Sequence, residues 1–353
     1  MAYSGTVGTT VIQVQTLIDH GARRAGKLAE ELTSEQVLSA RESLYFVLSN
    51  LINIGIQYWA IDKKIYGLNA DQYVYKLPVG GNDVLQALYR RMNRPSGSYG
   101  TTAGGIVENA FDSNIDTICT QSAPNGSISV NYGANNPVYI GSIGILPGVT
   151  GSIDYILEYS EDGLSWSTLY DPGVQAWVNN EWIWHDVEPG QTVQFYRIRA
   201  RNGSTLSLRE LYFGNNSTEI TMARLNRDDY TNLPNKNFTA NQPFQYWFNR
   251  TIPQAEITLW PVPSDPFVQM TVWYSRQIMD VGDLYGELEI PQRWYLAVVN
   301  MLAHQMALEL PGVATDRISY LEGQADKYLT LAEVEERDKS PIYFAPNISV
   351  YTR

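Results

Sequence analysis

The residues that could do chemistry are few and scattered. His20, His185 and His304 lie far apart in the chain, each in a packing-like context, with His304 inside an apolar run. General acid–base catalysis needs such a group within hydrogen-bond reach of a reacting atom. The acidic pairs Asp228/Asp229 and Glu335/Glu336 could in principle supply the two carboxylates of a glycosidase. Adjacent acids in a charged turn or helix are ordinarily just solvated. Cys119 is the single cysteine, which excludes an internal disulfide and a multi-cysteine zinc site. No P-loop, G-x-G-x-x-G, G-x-S-x-G or H-E-x-x-H pattern occurs. The expectation is a protein that is not an enzyme and requires no cofactor.

Basic residues cluster at Arg90, Arg91 and Arg94, and next at Arg23, Arg24 and Lys27. Three charges without interleaved aromatics make a weak nucleic-acid footprint, and solvated helix faces or ion pairs between subunits suit them better. The 353 residues include 25 Lys or Arg and 37 Asp or Glu, a formal charge of −12 that disfavours duplex binding by phosphate neutralisation. Hydrophobic content of 44% and aromatic content of 12% predict a folded protein. No leader with a basic start and apolar centre is visible, and no apolar run is long enough to span a membrane.

The elements that must position these residues fall into three stretches. Residues 98–215 hold 4 arginines, no lysine, 12 acidic residues and 14 of the 27 glycines, a net of −8, which leaves −4 for the rest. Composition shifts at Arg94–Gly97 and Gly214–Ser217 predict a domain, 98–215, inserted between two halves of a host, 1–97 and 216–353. In the host, apolar spacing predicts helices over about 14–26, 34–59 and 83–92, the second opened by a Thr33/Gln36 capping box. Apolar alternation on either side of Pro261–Pro266 predicts a hairpin over 257–274. A helix from Pro291 to Leu310 and another carrying Ile318, Leu321, Ala325 and Leu329 complete the host. The tail from Pro341 to Arg353 is too short to fold alone and reads as a docking segment, with Ile342, Tyr343, Phe344 and Tyr351 as its apolar contacts. Packing on its own subunit is the competing reading of that tail.

The middle stretch reads as all-β, with short apolar runs at Ile128–Val130, Val138–Ile145, Ile153–Tyr159, Val193–Ile198 and Leu206–Phe213. Ala110-Phe111-Asp112-Ser113-Asn114-Ile115-Asp116-Thr117, then Tyr159-Ser160-Glu161-Asp162-Gly163-Leu164-Ser165-Trp166, then Leu206–Leu211 follow in series. This series resembles discoidin-type domains (factor 5/8 type C, galactose-binding-like), with Ser113 where the family usually has Gly and Cys119 where it often has Trp. The resemblance implies a possible structural calcium ion held by Asp112, Thr117, Glu210 and main-chain oxygen near Asn114. The competing reading of these residues is a turn and a strand-end hydrogen bond. It also implies a carbohydrate platform, for which Trp177, Trp182 and Trp184 are candidates beside Trp166 and Tyr170. Core packing is the plainer role for these tryptophans, since Trp182 and Trp184 alternate around Ile183.

The host halves carry a second series. Tyr73-Val74-Tyr75-Lys76-Leu77-Pro78 leads to Asp83-Val84-Leu85. Arg227–Tyr230, Pro243–Tyr246 and Ile257-Thr258-Leu259-Trp260-Pro261-Val262-Pro263 follow, then Ile290–Trp294 and Leu302–Ala307. Together these resemble the head-to-tail adaptors of short-tailed bacteriophages (tail tubular protein A, packaged-DNA stabilisation or head-completion proteins). The resemblance implies a virion protein made in the host cytoplasm: a dodecameric ring between the portal and a tail nozzle of the tail tubular B type. Genomic DNA would pass through without specific binding, near Arg90, Arg91 and Arg94 if these face the channel, and the insert could meet a tail fibre. Apolar residues beyond one core stripe, such as Tyr58 and Trp59 beside Ile54 and Ile56, suit subunit packing.

The expected fold class is α+β: a helical adaptor domain with β-hairpins, interrupted by an all-β discoidin-like sandwich. The expected function is a head-to-tail adaptor. A glycan-binding adhesin, in which the sandwich binds carbohydrate and the helices only oligomerise, is the alternative.

Overall fold

The computed structural model describes residues 11–54, 58–134 and 136–336, so the tail residues Ile342, Tyr343, Phe344 and Tyr351 lie outside the described residues. Two compact units emerge: the segments before Asp62 and after Tyr274 form one, and Asp62–Tyr274 form the other.

The first unit is helical. Helices Val14–Ala25, Ser34–Ile54, Tyr295–Glu309 and Thr315–Glu336 follow one another in sequence. The second opens on a reciprocal capping box: Gln36 N–H donates to Thr33 Oγ1 at 3.3 Å, and Thr33 N–H donates to Gln36 Oε1 at 3.0 Å. The first closes on Gly26, whose φ of 95° lies in the left-handed region that lets a chain turn out of a helix. Leu17, Ile18, Leu44, Leu51, Trp294 and Leu302 are sealed in the shared core, each burial stabilising by roughly 1.5–3 kcal/mol before entropy. Gly21 allows close helix approach, since a Cβ there would lie 3.1 Å from Met306 Sδ. Trp59 packs edge-on against Trp294 at 5.0 Å, within the same helical unit. No helix among the described residues is long and apolar enough to cross a membrane.

The second unit is β-rich. One face of its sandwich is a five-stranded antiparallel sheet in the order 98–101, 127–131, 195–200, 151–160, 167–177. The opposing face belongs to a seven-stranded sheet in the order 61–67, 268–276, 81–93, 207–221, 138–147, 183–193, with 119–120 also paired to 207–221. Inward side chains of both faces, among them Ile140, Ile145, Leu157, Trp177, Tyr196 and Leu208, form the sandwich core. A smaller sheet, 223–225, 245–249, 256–260 and 74–76, packs over a separate core with Leu77, Tyr246, Ile257 and Met270.

Three sequence expectations change. Residues 83–92 are not a helix but part of the strand Gly81–Asn93. Its V-L-Q-A-L-Y pattern fits a helical period locally, but pairing with Ser207–Thr221 and burial of Val84, Ala87 and Tyr89 decide the outcome. The expected hairpin over 257–274 is absent, because its arms lie in different sheets: Glu256–Trp260 pairs with Gln245–Asn249, and Val268–Arg276 lies in the seven-stranded sheet. The intervening prolines 261, 263 and 266 lack the N–H donors that a hairpin ladder needs. The third difference concerns the boundary expected at 215/216, which lies inside the strand Ser207–Thr221, at a shift of register between Asn215 and Ser217. Its first part pairs with Val138–Pro147 and its second with Gly81–Asn93. The sandwich and the host strands therefore share one sheet.

Candidate functional site

The opening loop and the last sandwich strand are held together around a buried carboxylate. Glu210, on Ser207–Thr221, is wholly inaccessible. Its Oε1 accepts Asn114 N–H at 2.9 Å, and its Oε2 accepts Arg94 Nη1 at 2.8 Å. Arg94 Nη2 also donates to Phe111 O at 3.0 Å and to Ser113 Oγ, while the guanidinium lies over the Tyr212 ring. Asp112 accepts Asn114 N–H through Oδ1 at 2.9 Å, and Thr117 Oγ1 sits 2.8 Å from its Oδ2. Burial pushes Glu210 up to about 7, opposed by Arg94.

Asp112, Asn114, Thr117 and Glu210 are thus brought together in one hydrogen-bonded cluster of loop and strand. Of these four, Arg94 bonds to Glu210, its other acceptors being Phe111 O and Ser113 Oγ, while Thr117 Oγ1 lies 2.8 Å from Asp112 Oδ2, 2.9 Å from Asn114 O and 3.4 Å from Asn109 O. Among the described residues no group of three or more His, Cys, Asp or Glu side chains is placed to hold a metal.

The other motif residues also serve structure. Asp162 of the Y-S-x-D-G-x-x-W hairpin accepts Leu164 N–H and Ser165 N–H, both at 2.8 Å, next to Gly163 at φ 73°. Those two N–H donors pull its carboxyl down to about 2. Trp166 is half-buried beneath Arg197, whose guanidinium carbon lies 3.9 Å from the ring centroid.

The tryptophans proposed for carbohydrate separate into two roles. Trp177 is 1% exposed in the sandwich core, edge-on to Tyr155, and offers no ring face to a ligand. Trp182 and Trp184 stack on each other at 5.0 Å, with Trp182 against Phe267 and Trp184 against Tyr212. A Cβ on Gly67 would lie 2.1 Å from Trp182, and one on Gly144 would lie 2.4 Å from Trp184. These two rings are the packing that joins the sandwich to the host strands.

Their outer edges nevertheless help to line a cleft of about 510 Å³. Tyr170, 38% exposed, contributes a ring 5.0 Å from His185. His185 Nε2 is 2.7 Å from Tyr155 Oη, and burial lowers its pKa to about 4, opposed by Asp186, so the imidazole is neutral at pH 7. Asp186 is paired with Lys63 and Arg90. Against burial, which would raise it, hydrogen bonds from Arg90 and Lys63 hold its carboxyl below the usual range. Lys64 and Glu181 are exposed at the cleft, and Gln175 is half-buried there.

The basic cluster is split by the strand that carries it. Arg90 is buried, pairs with Asp186 at 2.5 Å, and places Nε 2.9 Å from Glu219 as an ion pair without hydrogen-bond alignment. Arg94 is committed to Glu210. Arg91 points to solvent and lines a second cleft of about 760 Å³ with Tyr89, Tyr212 and Asp265. Arg90 and Arg94 thus serve intrachain pairs rather than a free basic face. The sequence reading missed Tyr170–His185 as a pair, and the alternation Trp182-Ile183-Trp184-His185 was the available signal.

No family model matches the chain, and no curated protein matches it. Solved structures to which it is similar include carbohydrate-binding modules. The family 32 module of Clostridium perfringens NanJ, in complex with galactose, is 20% identical with a TM-score of 0.29, and the match covers 35% of this chain and 96% of that one. The CBM62 of Clostridium thermocellum Xyl5A is 20% identical with a TM-score of 0.31, over 35% of this chain and 97% of that one. CBM32-1 from a family 31 glycoside hydrolase of Clostridium perfringens is 15% identical with a TM-score of 0.30, over 35% and 97%.

Proposed function

We propose that the chain is a non-catalytic binding protein whose β unit takes a carbohydrate at the Tyr170 cleft, while its helical unit joins copies of the chain. The observation that carries this reading is an exposed aromatic ring in a polar cleft of about 510 Å³. A sugar offers an apolar C–H face and a rim of hydroxyls, and Tyr170 supplies the matching ring. Lys64, Glu181 and Gln175 supply donors and acceptors around it. The neutral His185 is tied to Tyr155, and Asp186 is committed to Arg90 and Lys63, which fits recognition rather than proton transfer. The test is binding of a panel of neutral and acidic sugars to the full chain and to Tyr170→Ala. The reading requires binding that the substitution removes.

The second reading is the head-to-tail adaptor ring of a short-tailed phage virion. It is favoured by apolar side chains left exposed at helical spacing: Leu38, Tyr45 and Phe46 on Ser34–Ile54, and Tyr320, Leu331 and Val334 on Thr315–Glu336. Such stripes suit packing against further copies of the chain. In this reading the portal and the tail nozzle are the axial partners, and DNA passes through the ring. Co-assembly with the portal, visible as rings by electron microscopy, tests it; absence of any joint assembly overturns it.

A further inference from the structure

We propose that the second cleft, of about 760 Å³, binds a monoanionic sugar acid such as a hexuronate, with Arg91 taking the carboxylate. Strand alternation separates the cations of Gly81–Asn93. Arg90 turns to one face, where Asp186 and its cross-strand neighbour Glu219 neutralise it. Arg91 turns to the other, beside Thr218, which pairs with it on Ser207–Thr221. Tyr89 shares that second face and is paired with Ile220. These four residues line the cleft, together with Gln242 and Asp265.

Two groups in this cleft are unused by the fold. The Arg91 guanidinium is exposed and, among the described residues, has no hydrogen-bond or ion-pair partner. Tyr89 is only 4% exposed, yet among the described residues its hydroxyl has no hydrogen-bond partner. A buried polar group left unpaired is costly, and a bound ligand or water relieves that cost. Burial raises the Tyr89 hydroxyl above its ordinary range, with Arg91 opposing and Asp265 reinforcing, so it is a proton donor at neutral pH. The charges then select the ligand. Arg94, also at the cleft, is neutralised by Glu210, which leaves Arg91 as the unpaired cation of the lining. Its planar fork matches a carboxylate. Asp265 Oδ1 accepts Phe267 N–H at 2.9 Å, leaving Oδ2 to accept a ligand hydroxyl. A dianionic phosphate would be repelled by that carboxylate, whereas a monoanion bearing hydroxyls satisfies both charges. Ile220, 45% exposed, offers an apolar surface to a sugar C–H face. The cleft shares no lining residue with the one at Tyr170.

The experiment is titration calorimetry of the full chain at neutral pH and low salt, with glucuronate, its neutral methyl ester and inorganic phosphate as probes. The native protein should bind glucuronate saturably, and the ester and phosphate about tenfold more weakly or not at all. Arg91→Gln should weaken glucuronate by about tenfold or more at an unchanged melting temperature, because the side chain is exposed and unpaired. Tyr89→Phe keeps the ring and should weaken it about threefold. Tyr170→Ala should leave it unchanged. Absence of glucuronate binding overturns the proposal, as does equal affinity for the ester or for phosphate. Full affinity in Arg91→Gln or in Tyr89→Phe also overturns it. Loss of glucuronate in Tyr170→Ala with Arg91→Gln unaffected would assign the acid to the other cleft and overturn it as well. Failure of neutral sugars to bind at Tyr170 would leave each of these results standing.

Discussion

Arg94 and Glu210 face each other at 2.8 Å across the mouth of the sandwich, the carboxylate wholly buried and the guanidinium half-buried. Removing the acid leaves a half-buried guanidinium and the Asn114 N–H without their acceptor. Glu210→Ala should therefore destabilise the protein by roughly 1–3 kcal/mol, the cost of leaving such donors unpaired. Urea denaturation reads this directly, and a loss under about 1 kcal/mol would mean the pair is solvated in solution.

Two aromatic residues of the sandwich should respond in opposite ways. Trp177 fills the core, so Trp177→Ala should cost roughly 3–5 kcal/mol. Tyr170 is exposed, and Tyr170→Ala should change stability by less than about 1 kcal/mol. Equal effects on unfolding would contradict the division between packing rings and a binding ring.

How much of this was legible in the sequence depends on whether the deciding contact is local. The Thr33/Gln36 capping box and the Asp162 turn involve residues within a few positions of each other, so their side-chain chemistry could be read directly. The strand Gly81–Asn93 could not, because its state depends on Ser207–Thr221, more than a hundred positions away. The misplacement of Arg90 and Arg94 follows from that. Beside an expected helix over 83–92 they read as solvated charges or ion pairs between subunits, whereas the strand brings Arg90 to Asp186 and ends where Arg94 meets Glu210. The motif residues Asp112, Asn114, Thr117 and Glu210 meet, while Arg94, which bonds to Glu210 beside them, lies outside the motif and had no local signal. Trp177 belongs to the sandwich core and Trp184 to the separate cluster with Trp182 and Tyr212, and alternation alone does not say which face of a strand turns inward.

Acid should weaken the fold through His185. Its folded pKa, about 4, lies below its ordinary value of 6.5, so the unfolded chain binds the proton more readily. Stability is then complete above about pH 6.5 and lost as pH falls toward 4, by up to roughly 3 kcal/mol for this one group. Carboxylates that titrate in the same range act in parallel, so the comparison is with His185→Asn. That variant should show a shallower fall in melting temperature across the interval, and an unchanged slope would contradict a buried neutral imidazole.

The exposed helix stripes predict self-association. Light scattering of the native protein should give a mass well above the single-chain 39.8 kDa. Phe46→Asp combined with Leu331→Asp should lower it without lowering helix content, because both side chains are exposed in the single chain. A native mass of one chain would contradict assembly through these faces.

Carbohydrate recognition at Tyr170 is tested most directly by titration calorimetry of the full chain. The panel should include galactose, N-acetylgalactosamine, galacturonate and a glucosamine oligomer, each measured against native protein and Tyr170→Ala. The expected result is saturable binding of at least one sugar by the native protein and a loss of tenfold or more, about 1.4 kcal/mol, in a variant of unchanged melting temperature. Absence of binding to every sugar, or equal affinity in the two proteins, would contradict it.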